Sequence, residues 1–258
     1  MKSTNVLQVR IVKNHEEVGL AAANLVAAEI ALNPNLVLGL PTGATPIPMY
    51  EEMCKKYSAG ILDCSGVTTV NLDEYVGRGK GDPDSYDTFM KEQLFNHVPF
   101  KKSYLPKAKP DRPLFGDELT EFLLNECVSY TDIINILGGI DVQVLGIGTN
   151  SHIGFNEPSD EITENTVLVP LTCQTVSDNA KKFYDGDESA VPRMAISMGM
   201  KQILRAKDTI ILIANGESKA KAIYDSLYGP ITPQVPASLL RTHHNVIFII
   251  DEAAASML

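Results

Sequence analysis

The stretch Leu36-Val37-Leu38-Gly39-Leu40-Pro41-Thr42-Gly43-Ala44-Thr45-Pro46 decides the fold class. Its first half is an apolar run without polar alternation, the pattern of a strand buried on both faces. The run stops at a Thr/Gly turn. Pro46 has no backbone N–H to lose and suits the first position of a helix, with Thr45 able to cap it. The stretch therefore reads as strand, tight turn, helix start. The same pairing recurs outward from it. Apolar runs at Val67–Leu72, Val142–Leu145, Thr209–Ile213 and Val246–Ile250 join Leu36–Leu40 as strands. Helical patterns lie at His15–Leu32, Pro46–Tyr57, Ser85–Asn96, Leu114–Leu137 and Ser218–Leu227. Strand and helix in alternation build βαβ units with right-handed crossovers. The expected fold is α/β: an open, mostly parallel, Rossmann-like sheet with helices on both faces. No repeat, low-complexity tract or Pro/Gly/Ser linker interrupts the chain, so residues 1–258 are expected to form a single domain.

Composition narrows the partners. The 258 residues carry a formal charge of −10, which argues against a nucleic-acid surface, because that needs a basic patch or stripe. A small anion is still permitted, since a few local groups can hold one phosphate. The four cysteines, Cys54, Cys64, Cys127 and Cys173, form no C-x-x-C pair and read as free thiols. No apolar signal core follows Met1-Lys2-Ser3-Thr4-Asn5. The most apolar stretch, Gly19–Leu32, contains Asn24 and Glu29 and is too short to span a bilayer. A cytoplasmic protein with no membrane partner is expected.

In open α/β sheets ligands bind beyond the carboxyl ends of the strands. Three polar or Gly-rich segments follow strands in that way. The first is Thr42-Gly43-Ala44-Thr45, whose hydroxyls and free N–H groups suit a phosphate; no Gly-Lys-Ser/Thr follows, so it is not a Walker loop. By itself it reads equally well as an ordinary strand-to-helix turn. The second is Val70-Asn71-Leu72-Asp73-Glu74-Tyr75, where a partly desolvated Asp73 could serve as a base. Alone, a solvated carboxylate pair explains it better. The third is Leu145-Gly146-Ile147-Gly148-Thr149-Asn150-Ser151-His152-Ile153-Gly154-Phe155-Asn156-Glu157-Pro158. His152 and Glu157 are close enough in sequence to meet across a bend, and a carboxylate beside an imidazole makes a proton shuttle. Metal binding has little support without a second His or a thiol cluster. Lys219, at a helix start, opposes the dipole unless an anion binds there; otherwise it is a solvated lysine, as the Lys181-Lys182 pair would be.

Taken together, these segments resemble the glucosamine-6-phosphate deaminase (isomerase) family. The resemblance rests on the three segments above, extended through Val76-Gly77 after Tyr75, and on Ile196-Ser197-Met198-Gly199, Gly216-Glu217-Ser218-Lys219-Ala220 and Pro236-Ala237-Ser238-Leu239. They come in the family's order along nearly the whole chain. His152-Ile153-Gly154-Phe155-Asn156-Glu157-Pro158 is the most specific of them. The sister 6-phosphogluconolactonases have a related Gly-rich His motif without the Phe-Asn-Glu-Pro continuation. The resemblance implies a cofactor-free, reversible conversion of glucosamine 6-phosphate and water into fructose 6-phosphate and ammonia. It implies that Asp73 moves the proton between C2 and C1, and that His152, with Glu157, opens the sugar ring. It places the phosphate on Thr42, Gly43, Ala44, Thr45, Lys219 and Lys181. The absence of a G-x-G-x-x-G fingerprint agrees with a reaction that needs no nicotinamide.

The chain departs from the family pattern around this site. Asn150 stands where one branch has an Asp partner for the histidine, which leaves Glu157 as the carboxylate partner and places the chain with a shorter branch. Thr149 replaces a common Arg or Lys, and Ser159 a common Gly. Ser151 replaces a Gly or Ala and would be strained at a positive φ. Lys181 replaces an Arg and offers a point charge instead of a fork. Members activated allosterically extend further beyond the place of Asp251-Glu252, so a non-allosteric monomer or small homo-oligomer is expected. Residues 77–85 and 163–188 are polar enough to cover a site. The competing readings are the same chemistry on galactosamine 6-phosphate, a lactonase, and a silent sugar-phosphate sensor. The sensor has little reason to keep Asp73.

Overall fold

The structure, a computed structural model, describes residues 6–258 apart from the side chains of Lys182 and Phe183. The chain begins with β1 (Val6–Val12), α1 (His15–Leu32), β2 (Val37–Leu40), α2 (Ile47–Ser58), β3 (Thr68–Asn71) and β4 (Asp73–Tyr75). Next come α3 (Tyr86–Met90), which runs into a π turn, β5 (Lys102–Tyr104), α4 (Gly116–Ile136) and β6 (Val142–Leu145). The remainder is β7 (Val167–Pro170), α5 (Cys173–Phe183), β8 (Met194–Ser197), α6 (Met200–Leu204), β9 (Thr209–Ala214), α7 (Ala220–Tyr228) and β10 (Asn245–Asp251).

Seven strands form one sheet in the order β1-β10-β9-β6-β2-β3-β5, and every neighbouring pair is parallel. Successive side chains along a strand enter opposite layers. Ile210 and Leu212 join the core under α4 and α7, with Tyr130, Ile134 and Ile223. Ile211 and Ile213 join the core under α1 and α2, with Val18, Val26 and Met49. Both faces of the sheet are thus covered, which is why its central strands are uninterrupted apolar runs. The α/β class and the mostly parallel sheet agree with the sequence reading.

Several elements differ from that reading. The run Val67–Leu72 forms β3, one residue shorter at each end, and directly after it Asp73 begins β4 in a separate antiparallel sheet of order β4-β8-β7. Leu72 sits at the joint, its carbonyl accepting from Met198 N at 2.7 Å. Thr45 does not cap α2; its hydroxyl donates instead to Asn215 Oδ1 at 2.8 Å. Lys219 ends a 3-10 turn, and α7 begins after it. β1 is an exposed edge strand whose Gln8 and Arg10 broke the apolar pattern. Within residues 163–188 lie β7 and α5, the latter packed through Val176 and Ala180 against Val191. No described helix is long and apolar enough to cross a membrane.

Candidate active site

The sheet reverses its direction of growth between β6 and β2. From β2 the chain winds outward to β3 and β5, and from β6 to β9 and β10. The carboxyl ends splay apart at such a point and leave a crevice. A cleft opens there, lined by residues 41–45 after β2, Asp73 of β4, Gly146, Gly148, Thr149 and His152 after β6, and Lys219 after β9. Tyr86 and three α5 residues, Thr175, Asp178 and Asn179, close its remaining wall.

The turn after β2 is pinned from outside. The Tyr50 hydroxyl donates to the Pro41 carbonyl, and Asn71 Nδ2 donates to the Leu40 carbonyl at 3.2 Å. His15 Nε2 lies 2.9 Å from the Thr45 carbonyl. Among the described residues, the backbone bonds around the turn leave the N–H groups of Thr42, Gly43, Ala44 and Thr45 without a backbone acceptor. Adjacent free N–H groups at a cleft make a seat for an anion. Lys219, buried beside it, brings a cation to the same cleft.

Asp73 and Glu74 share a three-residue strand and point to opposite sides of it. Asp73 faces the cleft and is almost fully buried. Burial, reinforced by the neighbouring Glu74 carboxylate, pushes its pKa up to about 8. A carboxyl in that range is a stronger base, once ionised, than a solvated aspartate. Gly154, at φ 56°, lets the loop pass close by: a β-carbon there would lie 3.3 Å from Asp73 Oδ2 and 3.2 Å from Ser197 Oγ.

His152 and Glu157 do meet across the bend, with Nδ1 3.4 Å from Oε2. Asn150 Nδ2 donates to the same Oε2 at 2.7 Å, while Asn150 Oδ1 accepts from the His152 N–H at 3.3 Å. The Thr175 hydroxyl donates to Glu157 Oε1, joined by Thr172 Oγ1 at 3.3 Å. Burial alone would raise Glu157, but His152, Thr175 and Asn150 outweigh it and hold its pKa down at about 2. Glu157 is therefore an anion over the whole working range. The imidazole lies flat on Gly148, where a β-carbon would sit 2.3 Å from His152 Cε1. This glycine makes room for a side chain of its own loop. Ser151 does adopt a left-handed backbone, φ 70°, a conformation that costs a non-glycine residue about 1–2 kcal/mol. Its carbonyl accepts from Ala237 N at 3.0 Å, which helps hold it there.

The cleft thus brings together Asp73, His152, the 42–45 turn and Lys219, with Glu157 and Asn150 directly behind His152. Lys181 lies elsewhere: it is exposed on α5 and is not part of the cleft lining. Sequence reading named none of Tyr86, Thr175, Asp178 and Asn179 as a site residue, although it took residues 163–188 as a cover. The only signal for the last three was that Thr175–Lys182 is a polar stretch. Thr172, whose hydroxyl accepts from Thr175 N at 3.2 Å, caps α5 and fixes which of its residues turn inward.

Residues 14–249 match the family described as glucosamine-6-phosphate isomerases/6-phosphogluconolactonase. A glucosamine-6-phosphate deaminase of Clostridioides difficile is 45% identical over 252 residues, spanning 98% of this chain and 97% of that protein. Glucosamine-6-phosphate deaminase 2 of Bacillus subtilis is 42% identical over 252 residues, spanning 98% of each chain. Among solved structures, a monomeric glucosamine-6-phosphate deaminase superposes with TM-score 0.89 at 37% identity, over 97% of this chain and 100% of that one. The 6-phosphogluconolactonase of Trypanosoma brucei shares the fold at TM-score 0.72 and 17% identity, over 99% of this chain and 100% of that one. By sequence along nearly its full length and by fold, the chain belongs to the glucosamine-6-phosphate isomerase/6-phosphogluconolactonase family.

Proposed function

We propose that this protein converts glucosamine 6-phosphate and water reversibly into fructose 6-phosphate and ammonia. The observation that carries the reading is one cleft holding a high-pKa carboxylate, a carboxylate-backed imidazole and an anion seat. Support comes from relatives of similar length named for that deamination. In this mechanism His152 protonates the ring oxygen and takes the proton from the O1 hydroxyl as the pyranose opens. Ionised Glu157 steadies the imidazolium that forms meanwhile. Asp73 then removes the C2 hydrogen as a proton and returns it to C1, while one proton of the substrate's own ammonium passes to O1. The aldose becomes a ketose imine with no net redox change. Water adds at C2 and ammonia leaves. The phosphate rests on the N–H groups and hydroxyls of residues 42–45 and on Lys219. Lys181 does not line the cleft in this arrangement, and the seat is assigned without it. The chain works as a monomer, as the solved 37% identical deaminase does.

Ammonia release tests the reading. Glucosamine 6-phosphate should be deaminated much faster than galactosamine 6-phosphate. The reverse order would move the substrate to the other epimer, and no release from either would remove the activity. Lys219→Ala should raise KM for the sugar phosphate about 10- to 100-fold, since a charge-assisted contact is worth about 1.5–3 kcal/mol. An unchanged KM would show that Lys219 does not hold the phosphate.

A further inference from the structure

Glu74 is a buried carboxylate for which the mechanism above has no use. It is 1% exposed, on the side of β4 away from the cleft. Its Oε1 accepts from Tyr75 N at 2.9 Å and Tyr86 N at 3.1 Å, and its Oε2 accepts from Asp87 N at 3.1 Å. Two of these donors begin α3. Tyr86 itself lines the cleft and packs on Tyr75, with ring centroids 4.8 Å apart. Glu74 thus fastens one wall of the site to the strand that carries Asp73. Asparagine or glutamine would satisfy fewer N–H donors than a carboxylate, which accepts on both oxygens.

On the reading that Asp73 is the base, we propose that Glu74 is a positioning residue whose negative charge, one residue along from Asp73, keeps that base strong while the N–H bonds it accepts hold Tyr86 in the cleft wall.

The surroundings allow the charge to act. A groove behind β4 brings Lys80, Lys107, Lys109 and Asp111 near Glu74. Lys107 is engaged by Asp111 at 2.6 Å and Lys109 by Asp82 at 2.8 Å. Asp87 is neutralised by Lys91 at 2.5 Å. On the cleft side, His152, Lys219 and Tyr86 line the same cleft as Asp73, and the Tyr75 and Tyr86 hydroxyls feel its charge. Burial lifts the pKa of both carboxyls, but the Glu74 carboxylate accepts three backbone N–H bonds that favour its ionised form. Glu74 is thereby the readier of the two to ionise, and Asp73 loses its proton beside that charge.

Glu74→Gln keeps the shape and removes the charge. The low-pH limb of kcat/KM for glucosamine 6-phosphate should move down by about one pH unit. At pH 9, above both limbs, kcat should fall several-fold because the ionised base is weaker. A uniform loss at all pH values with an unmoved limb would leave Glu74 a purely structural fastener and overturn the proposal. Carboxyl carbon NMR titration of the unaltered protein needs no variant. Glu74 should ionise before Asp73, and the opposite order would also overturn it. If the unaltered protein releases no ammonia, the deaminase reading fails first, and the NMR order still judges the coupling of the two carboxyls.

Discussion

Asp73→Asn should cut turnover of glucosamine 6-phosphate by about 10⁴-fold, the upper range for loss of a general base, while leaving sugar-phosphate affinity nearly unchanged. The side chain keeps its size and place on β4, so the seat for the phosphate at residues 42–45 is untouched. What disappears is the group able to carry a proton between adjacent carbons. The same substitution should raise the melting temperature at pH 8–9. The sign follows from linkage. The folded-state pKa, about 8, lies above the ordinary aspartate value of 3.8. The native state therefore binds the proton more tightly than the unfolded chain does, and this group's contribution to stability falls as pH rises from about 4 through 8. Asparagine cannot ionise and escapes that loss. Gain in stability together with loss of turnover is what a residue held strained for function should show. Ammonia release, equilibrium binding and a thermal melt on the same preparation check all three statements. Near-normal turnover would remove Asp73 from the base role.

The sequence made the five central strands of the parallel sheet legible because they are buried on both faces and carry no polar alternation, while the more exposed edges β1 and β5 escaped it. Val142–Leu145 falls on the observed strand, and Thr209–Ile213 is one residue short of it. It hid the second sheet for the opposite reason. β7 is partly exposed and β4 is three residues long, so neither has a period to detect. Asn71-Leu72-Asp73 looks continuous with β3, and only the Met198 N–H bond to Leu72 shows where one sheet hands over to the other. The residues carrying chemistry were legible because they follow strands or sit in a Gly-rich turn. Those contributed by α5 were not, because their approach depends on where a separate sheet places that helix. Lys181 illustrates the limit. The resemblance alone marked it, and it lies exposed on α5, as the Lys181-Lys182 pair, read by itself, implies.

The Gly148–His152 contact gives the sharper test of how the site works, because Gly148→Ala changes no ionisable group. The new β-carbon would stand 2.3–2.4 Å from three atoms of the imidazole, closer than any real contact. The obstacle is a side chain, so relief comes cheaply: His152 rotates away, and the fold loses little stability. Glu157 stays in place, since Asn150, Thr172 and Thr175 hold it without the imidazole. The catalytic cost is large, because an ångström of misplacement can remove about 10²-fold in rate. The loss should fall on the ring-opening step. Turnover of closed-ring glucosamine 6-phosphate should drop about 10²-fold, while exchange of the C1 hydrogen of open-chain fructose 6-phosphate, which needs Asp73, should change little. The decisive measurement is the double variant. If Gly148 acts through His152, Gly148→Ala should cost almost nothing more in a His152→Gln background. An undiminished loss there would place the importance of Gly148 in its backbone beside the ligand, and not in the bare surface it offers the imidazole.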